Sequence, residues 1–107
     1  MRSGDLQKVL LVEDDPQVRY TMEVLAAQWA TEVMACTNIR DAQARIKTEK
    51  FDLLVSDVRL PDGLGTELAV MAARQEPQMA ILLVTGYAEE EKLDRARALG
   101  IDVLPKP

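Results

Sequence analysis

Short unbroken apolar runs alternate along the chain with stretches whose apolar residues recur at helical spacing. Val9-Leu10-Leu11-Val12 reads as a first strand and is followed by Glu13-Asp14-Asp15 and Pro16. Asp15 suits a helix N-cap and Pro16 the first helical position. Val18, Met22, Leu25, Ala26 and Trp29 then share one helical face, which predicts a first helix to about Ala30. Glu32 to Cys36 is a second strand. Asn38-Ile39-Arg40-Asp41 carries a capping pattern ahead of a weaker helix through Ala42 and Ile46. Leu53-Leu54-Val55 is a third strand that ends at Ser56-Asp57. A loop holding Pro61, Gly63 and Gly65 leads into a helix with Leu68 and Met71, which Pro77 breaks. Ile81 to Val84 is a fourth strand ending at Thr85-Gly86. Glu89-Glu90-Glu91 places acid at the positive end of a further helix, lined by Leu93, Ala96 and Leu99 and stopped by Gly100. Ile101 to Leu104 is a fifth strand.

Regular strand-helix alternation with near-continuous apolar strands predicts an α/β domain. Its parallel sheet is buried on both faces beneath helices. Right-handed crossovers bring every strand-to-helix turn to one edge of such a sheet, and ligands bind there. The polar residues that follow the apolar runs therefore converge. Glu13 and Asp14 follow the first strand, Asp57 the third, Thr85 the fourth and Lys106 the fifth.

Composition narrows what that edge can do. The 107 residues fit one domain, 1–107. A net charge of −5 argues against nucleic acid as a direct partner and against an anionic membrane surface. The apolar runs are strand-length, well short of the ~20 residues a membrane span needs. Met1-Arg2-Ser3-Gly4 lacks a signal-peptide core, and Cys36 is the single cysteine. A cytoplasmic location is expected. The chain has no histidine, which removes Ser-His triads, histidine metal sites and histidine bases.

Three carboxylates in one crevice repel one another, and burial adds a desolvation cost. A hard divalent cation relieves both. Mg²⁺ suits a site with few carboxylates plus waters and phosphate oxygens. A carboxylate is also a competent nucleophile toward phosphorus, forming an aspartyl phosphate. The metal and Lys106 would offset charge on the transferring group, and Thr85 could donate to a phosphoryl oxygen. Taken singly, each residue has a structural use: helix-start charges for Glu13 and Asp14, a turn for Asp57, a cap for Thr85, a solvated lysine for Lys106. Asp15 reads as an N-cap and Cys36 as a small buried apolar residue.

Val12-Glu13-Asp14-Asp15-Pro16, Asp57-Val58-Arg59-Leu60-Pro61 with Gly65, Val84-Thr85-Gly86 and Lys106-Pro107 occur in this order at strand ends. In that ordered set the chain resembles the receiver domains of two-component response regulators over nearly its whole length. The resemblance implies a doubly wound, flavodoxin-like sheet of five parallel strands in the order 2-1-3-4-5. It implies that Asp57 accepts a phosphoryl group from a phosphohistidine on a partner kinase or phosphotransfer protein. It implies Mg²⁺, with Mn²⁺ as a substitute, held by the Asp14 and Asp57 side chains and the Arg59 backbone carbonyl. Glu13 would act through a metal-bound water, and Thr85 and Lys106 would contact the phosphoryl group. The Lys106-Pro107 peptide would be cis. The domain would catalyse its own phosphorylation and dephosphorylation without being a turnover enzyme, and would regulate an output domain or effector.

Three departures stand out. Glu13 replaces the more frequent Asp. Val103 replaces the usual switch Tyr or Phe. The chain stops at Pro107, before the family's fifth helix, so an amphipathic helix is expected beyond it, or a dimer that covers the same face. Other readings are a hybrid kinase's C-terminal receiver and a degenerate receiver used only as an interaction surface. An Asp-nucleophile phosphatase is disfavoured because Glu13-Asp14-Asp15 lacks the D-x-D pattern. A flavin-binding module is disfavoured because an acidic first loop repels phosphate.

Overall fold

A computed structural model of the protein describes residues 6–86 and 90–106. The elements in chain order are β1 (Leu6–Val12), α1 (Pro16–Ala26), β2 (Ala30–Cys36), α2 (Ile39–Thr48) and β3 (Leu53–Asp57). A two-residue-per-strand ribbon follows, β4 (Arg59–Leu60) and β5 (Gly63–Leu64). Then come α3 (Gly65–Gln75), β6 (Ala80–Thr85), α4 (Glu90–Ala98) and β7 (Asp102–Pro105). The main sheet is parallel with order β2-β1-β3-β6-β7, which is 2-1-3-4-5 when its own strands are counted. The antiparallel ribbon β4-β5 stands apart from it. The doubly wound architecture is as expected.

Strand side chains alternate between two cores, as the two-residue period of a strand requires. Val9, Leu11, Val55 and Val84 point to one face and pack with Met22 of α1. Leu10, Val12, Leu54 and Leu83 point to the other, where they meet Ala42 and Ile46 of α2, Leu68 and Ala72 of α3, and Leu93 and Ala96 of α4. The caps follow local chemistry. Asp15 Oδ1 accepts from Gln17 N (2.9 Å) and Val18 N (3.2 Å), with Pro16 opening α1. Asn38 Oδ1 accepts from Asp41 N at 2.8 Å at the start of α2. Gly100 takes φ +80° after α4, a left-handed stop open to glycine.

Two helix ends differ from expectation. The first helix ends at Ala26, not Ala30, because Gln28 N and Trp29 N bond carbonyls only three residues back, to Leu25 and Ala26. Ala30 is then free to pair with Leu6 in the β2-β1 register. Leu99 lies just past α4 and is exposed rather than lining it. Glu89 lies outside the described residues.

The face beside α1 holds an open apolar groove of about 340 Å³. Its walls include Leu11, Val55, Val84 and Leu104 of the sheet, with Met22 and Trp29. Trp29 is 40 % and Leu104 52 % exposed, which sets this face apart from the closed core under α2–α4. The groove runs over the first, third, fourth and fifth strands of the sheet.

The opposite core is where truncation should matter. Leu10 is fully buried, whereas Tyr20 on α1 is 68 % exposed. Leu10→Ala is expected to lower stability by ~2–5 kcal/mol in urea unfolding, the range for a large buried residue that leaves a cavity. Tyr20→Ala should change it by no more than ~0.5 kcal/mol.

Candidate functional site

The sheet register brings the polar strand ends level. Val12 pairs with Ser56, Asp57 with Val84, and Thr85 with Pro105, so Glu13, Asp57, Thr85 and Lys106 arrive at one edge. Glu13 N donates to the Cys36 carbonyl (3.0 Å) and Lys106 N to the Thr85 carbonyl (2.9 Å), extending the sheet by one step into the site. Carboxylate oxygens of Glu13, Asp14 and Asp57 all lie within 4.8 Å of one another. Glu13 and Asp57 are buried and Asp14 is exposed, so the cluster opens to solvent on the Asp14 side.

Lys106 crosses the edge to meet this charge. Its Nζ lies 2.7 Å from Asp57 Oδ2, to which it donates, and 3.0 Å from Glu13 Oε1. Burial works against the ammonium. The hydrogen bonds to Asp57 and then Glu13, with their charges, outweigh that penalty and lift its pKa above the ordinary value. Glu13 Oε2 accepts from Asp15 N at 3.0 Å, while the buried Oε1 faces the Lys106 ammonium at 3.0 Å, a cation it shares with Asp57. Burial is the main influence that raises the Glu13 pKa, and the charge of Asp57 adds to it. The Asp15 N–H and the Lys106 ammonium pull the other way without prevailing. Three carboxylates within 4.8 Å of one another that share a single lysine ammonium fit a hard divalent cation with oxygen ligands.

The backbone beneath the site is tightly held. Asp57 Oδ1 accepts from Arg59 N at 3.3 Å. Val58 N donates to the Val84 carbonyl (3.0 Å) and Gly65 N to the Val58 carbonyl (2.7 Å). A Cβ on Gly65 would stand 1.8 Å from the Asp57 carbonyl oxygen, so this position admits glycine alone. The buried Ser56 hydroxyl donates to the same carbonyl at 2.9 Å. From α1, Arg19 donates to the carbonyls of Glu13 (3.1 Å) and Asp14 (3.3 Å), clamping the acidic turn.

Residues 9–107 match the family model of the response regulator receiver domain. The chain belongs to that family. It is 30 % identical over 102 residues to the response regulator protein PilR of Pseudomonas aeruginosa, covering 94 % of this chain and 23 % of PilR. Among solved structures, it is similar to a CheY-like receiver domain protein from Methanospirillum hungatei, with TM-score 0.84, 33 % identity, and 96 % and 83 % of the two chains covered. The non-phosphorylated HemR receiver domain of Leptospira biflexa gives TM-score 0.82 and 35 % identity, with 94 % and 82 % covered. The chain spans less than half the length of PilR and of a related receiver protein from Anaeromyxobacter. Among the described residues, no helix is long and apolar enough to cross a membrane.

The receiver fold thus gathers the sequence-predicted Glu13, Asp14, Asp57 and Lys106, with Thr85 at the end of β6 on the same edge and Arg59 opening the β4-β5 ribbon. Val103 is half-buried against the α2–α4 core. The Lys106-Pro107 peptide lies outside the described residues. Arg19, Ser56 and the reason for Gly65 escape sequence reasoning. Arg19 could have been found from its place one turn after the N-cap Asp15, within reach of the preceding carbonyls. Ser56 and Gly65 depend on how closely α3 approaches the end of β3.

Because the pKa of Glu13 is raised on folding, ionising it disfavours the fold. That penalty is absent well below the ordinary value of 4.5 and grows as pH rises through the raised value. Glu13→Gln should therefore raise the melting temperature of the metal-free protein near neutral pH. The gain should vanish in acid, as read by thermal unfolding across pH.

Proposed function

We propose that Asp57 is the phosphoacceptor of a signalling receiver domain, and that its partner is a histidine kinase or histidine phosphotransfer protein. One observation carries the reading: the buried Asp57 carboxylate is held 2.7 Å from the Lys106 ammonium while sharing a crevice with Glu13 and Asp14. A carboxylate oxygen of Asp57 attacks phosphorus. The P–N bond to the donor imidazole breaks, its electron pair returns to the ring nitrogen, and a P–O bond to Asp57 forms. Lys106, already beside Oδ2, offsets negative charge on the transferred oxygens. Thr85 at the end of β6 is placed to donate to one of those oxygens. The Arg59 N–H and Lys106 hold the two carboxylate oxygens apart in orientation, so the attacking geometry is set before the donor arrives.

Asp14 and Asp57 side chains and the Arg59 carbonyl would hold Mg²⁺, or Mn²⁺ in its place, with Glu13 acting through a bound water. The ion would supply charge neutralisation for the phosphoryl group. The output domain or effector lies with the parent protein, as the short span of PilR that this chain covers suggests. The whole chain is one receiver domain, 1–107. A following amphipathic helix is the natural cover for the apolar groove beside α1.

Acetyl phosphate with Mg²⁺ should add one phosphoryl mass to the protein, and Asp57→Asn should abolish it. Lys106→Ala should slow the gain by ~10²-fold or more, the scale of losing one preorganised charge-stabilising group. An Asp57→Asn protein that gains the same mass at the same rate would refute the assignment.

A further inference from the structure

The loop that follows Asp57 is anchored at two ends, and the far anchor is Asp62. Asp62 sits in the turn of the β4-β5 ribbon, where Leu60 pairs with Gly63 and Arg59 with Leu64. Its Oδ1 accepts from Ile39 N at 2.8 Å and its Oδ2 from Arg40 N at 3.0 Å. These are the first two N–H groups of α2, from a segment more than twenty residues away in sequence. The third, on Asp41, is taken by Asn38. The cap of α2 is therefore divided between its own N-cap residue and the acceptor loop.

Packing reinforces the junction. A Cβ on Gly63, at φ +150°, would meet Ile39 Cδ1 at 3.0 Å, so the ribbon turn lies directly on the first residue of α2. Both Ile39 and Leu60 are buried there. The backbone N–H groups, that of Ile39 foremost, hold the Asp62 carboxyl below its ordinary pKa, so the cap is ionised at neutral pH. At the near end, Gly65 N bonds the Val58 carbonyl and Arg59 N bonds Asp57 Oδ1. Arg59 stands between the two anchors. Without the far anchor, the ribbon could tilt on its base, and the Arg59 peptide would tilt with it.

We propose that Asp62 is a positioning residue for the metal site: by capping α2 it pins the β4-β5 ribbon and with it the Arg59 backbone that opens the ribbon. The inference rests on the reading of Asp57, Asp14 and Arg59 as the phosphoacceptor and metal-binding groups. It differs from a stability role, because Asp62 is exposed and its caps belong to a helix that Asn38 also caps.

Calorimetric titration of Mg²⁺ into the 107-residue chain tests it, with the wild type, Asp62→Ala, Asp62→Asn and Asn38→Ala compared. Asp62→Ala should weaken Mg²⁺ binding by about tenfold or more, the loss typical of removing a group that orients a metal ligand. Asp62→Asn keeps an accepting oxygen and should retain most of the affinity. Asn38→Ala removes a cap of α2 without touching the ribbon and should leave Mg²⁺ affinity as in the wild type. Equal affinity in Asp62→Ala and wild type would overturn the proposal. So would equal losses in Asp62→Ala and Asn38→Ala, which would assign the effect to α2. The wild-type arm, run also with acetyl phosphate and read by mass, reports on the underlying reading. A wild type that neither binds Mg²⁺ nor gains a phosphoryl group overturns both, whereas one that does both while Asp62→Ala binds normally overturns the role of Asp62 alone.

Discussion

Crowded negative charge is the constraint around which this domain is organised. Glu13 and Asp57 lie buried at the ends of neighbouring strands with Asp14 beside them, and their oxygens come within 4.8 Å of one another. Such a grouping opposes folding through repulsion and lost hydration. Lys106 relieves part of it by reaching Asp57 and Glu13 from the end of β7. The relief is incomplete: one ammonium is shared between two buried carboxylates, and burial still raises the Glu13 pKa. A crevice that stays short of positive charge is chemically prepared for a divalent cation.

Holding charges this close requires a backbone that cannot relax away from them. The parallel register supplies the first restraint, and the single hydrogen bonds beyond each strand, Glu13 to Cys36 and Lys106 to Thr85, carry it into the loops. Arg19 ties down the acidic turn through two carbonyls. On the β3 side, α3 begins so near Asp57 that only glycine fits at position 65. Stability from the two apolar layers therefore does functional duty: it maintains an arrangement of polar groups that would otherwise disperse.

Much of this was legible in the sequence because strand-length apolar runs and helix caps are local signals. Val9 to Val12 and Ile81 to Val84 announce buried strands, and Asp15-Pro16 and Asn38 announce helix starts; their last polar neighbours then form the site by topology alone. Trp29 misled because it continues the helical spacing of α1, although pairing of Ala30 with Leu6 ends the helix earlier. Leu99 misled in the same way beyond α4. The β4-β5 ribbon was not foreseen, since two-residue strands leave no periodic trace. The role of Asp62 left no local signal either, because the N–H groups it accepts from belong to a helix distant in sequence.

The central claim is that the carboxylate cluster is a divalent-cation site, and thermal unfolding across a Mg²⁺ titration tests it most directly. Binding to the folded state should raise stability by RT ln(1 + [Mg²⁺]/Kd), ~1.4 kcal/mol at a tenfold excess over Kd. The melting temperature of the wild type should rise accordingly, and Asp14→Ala should abolish the rise. A wild-type melting temperature that does not move across the titration, or an equal rise in Asp14→Ala, would contradict the account.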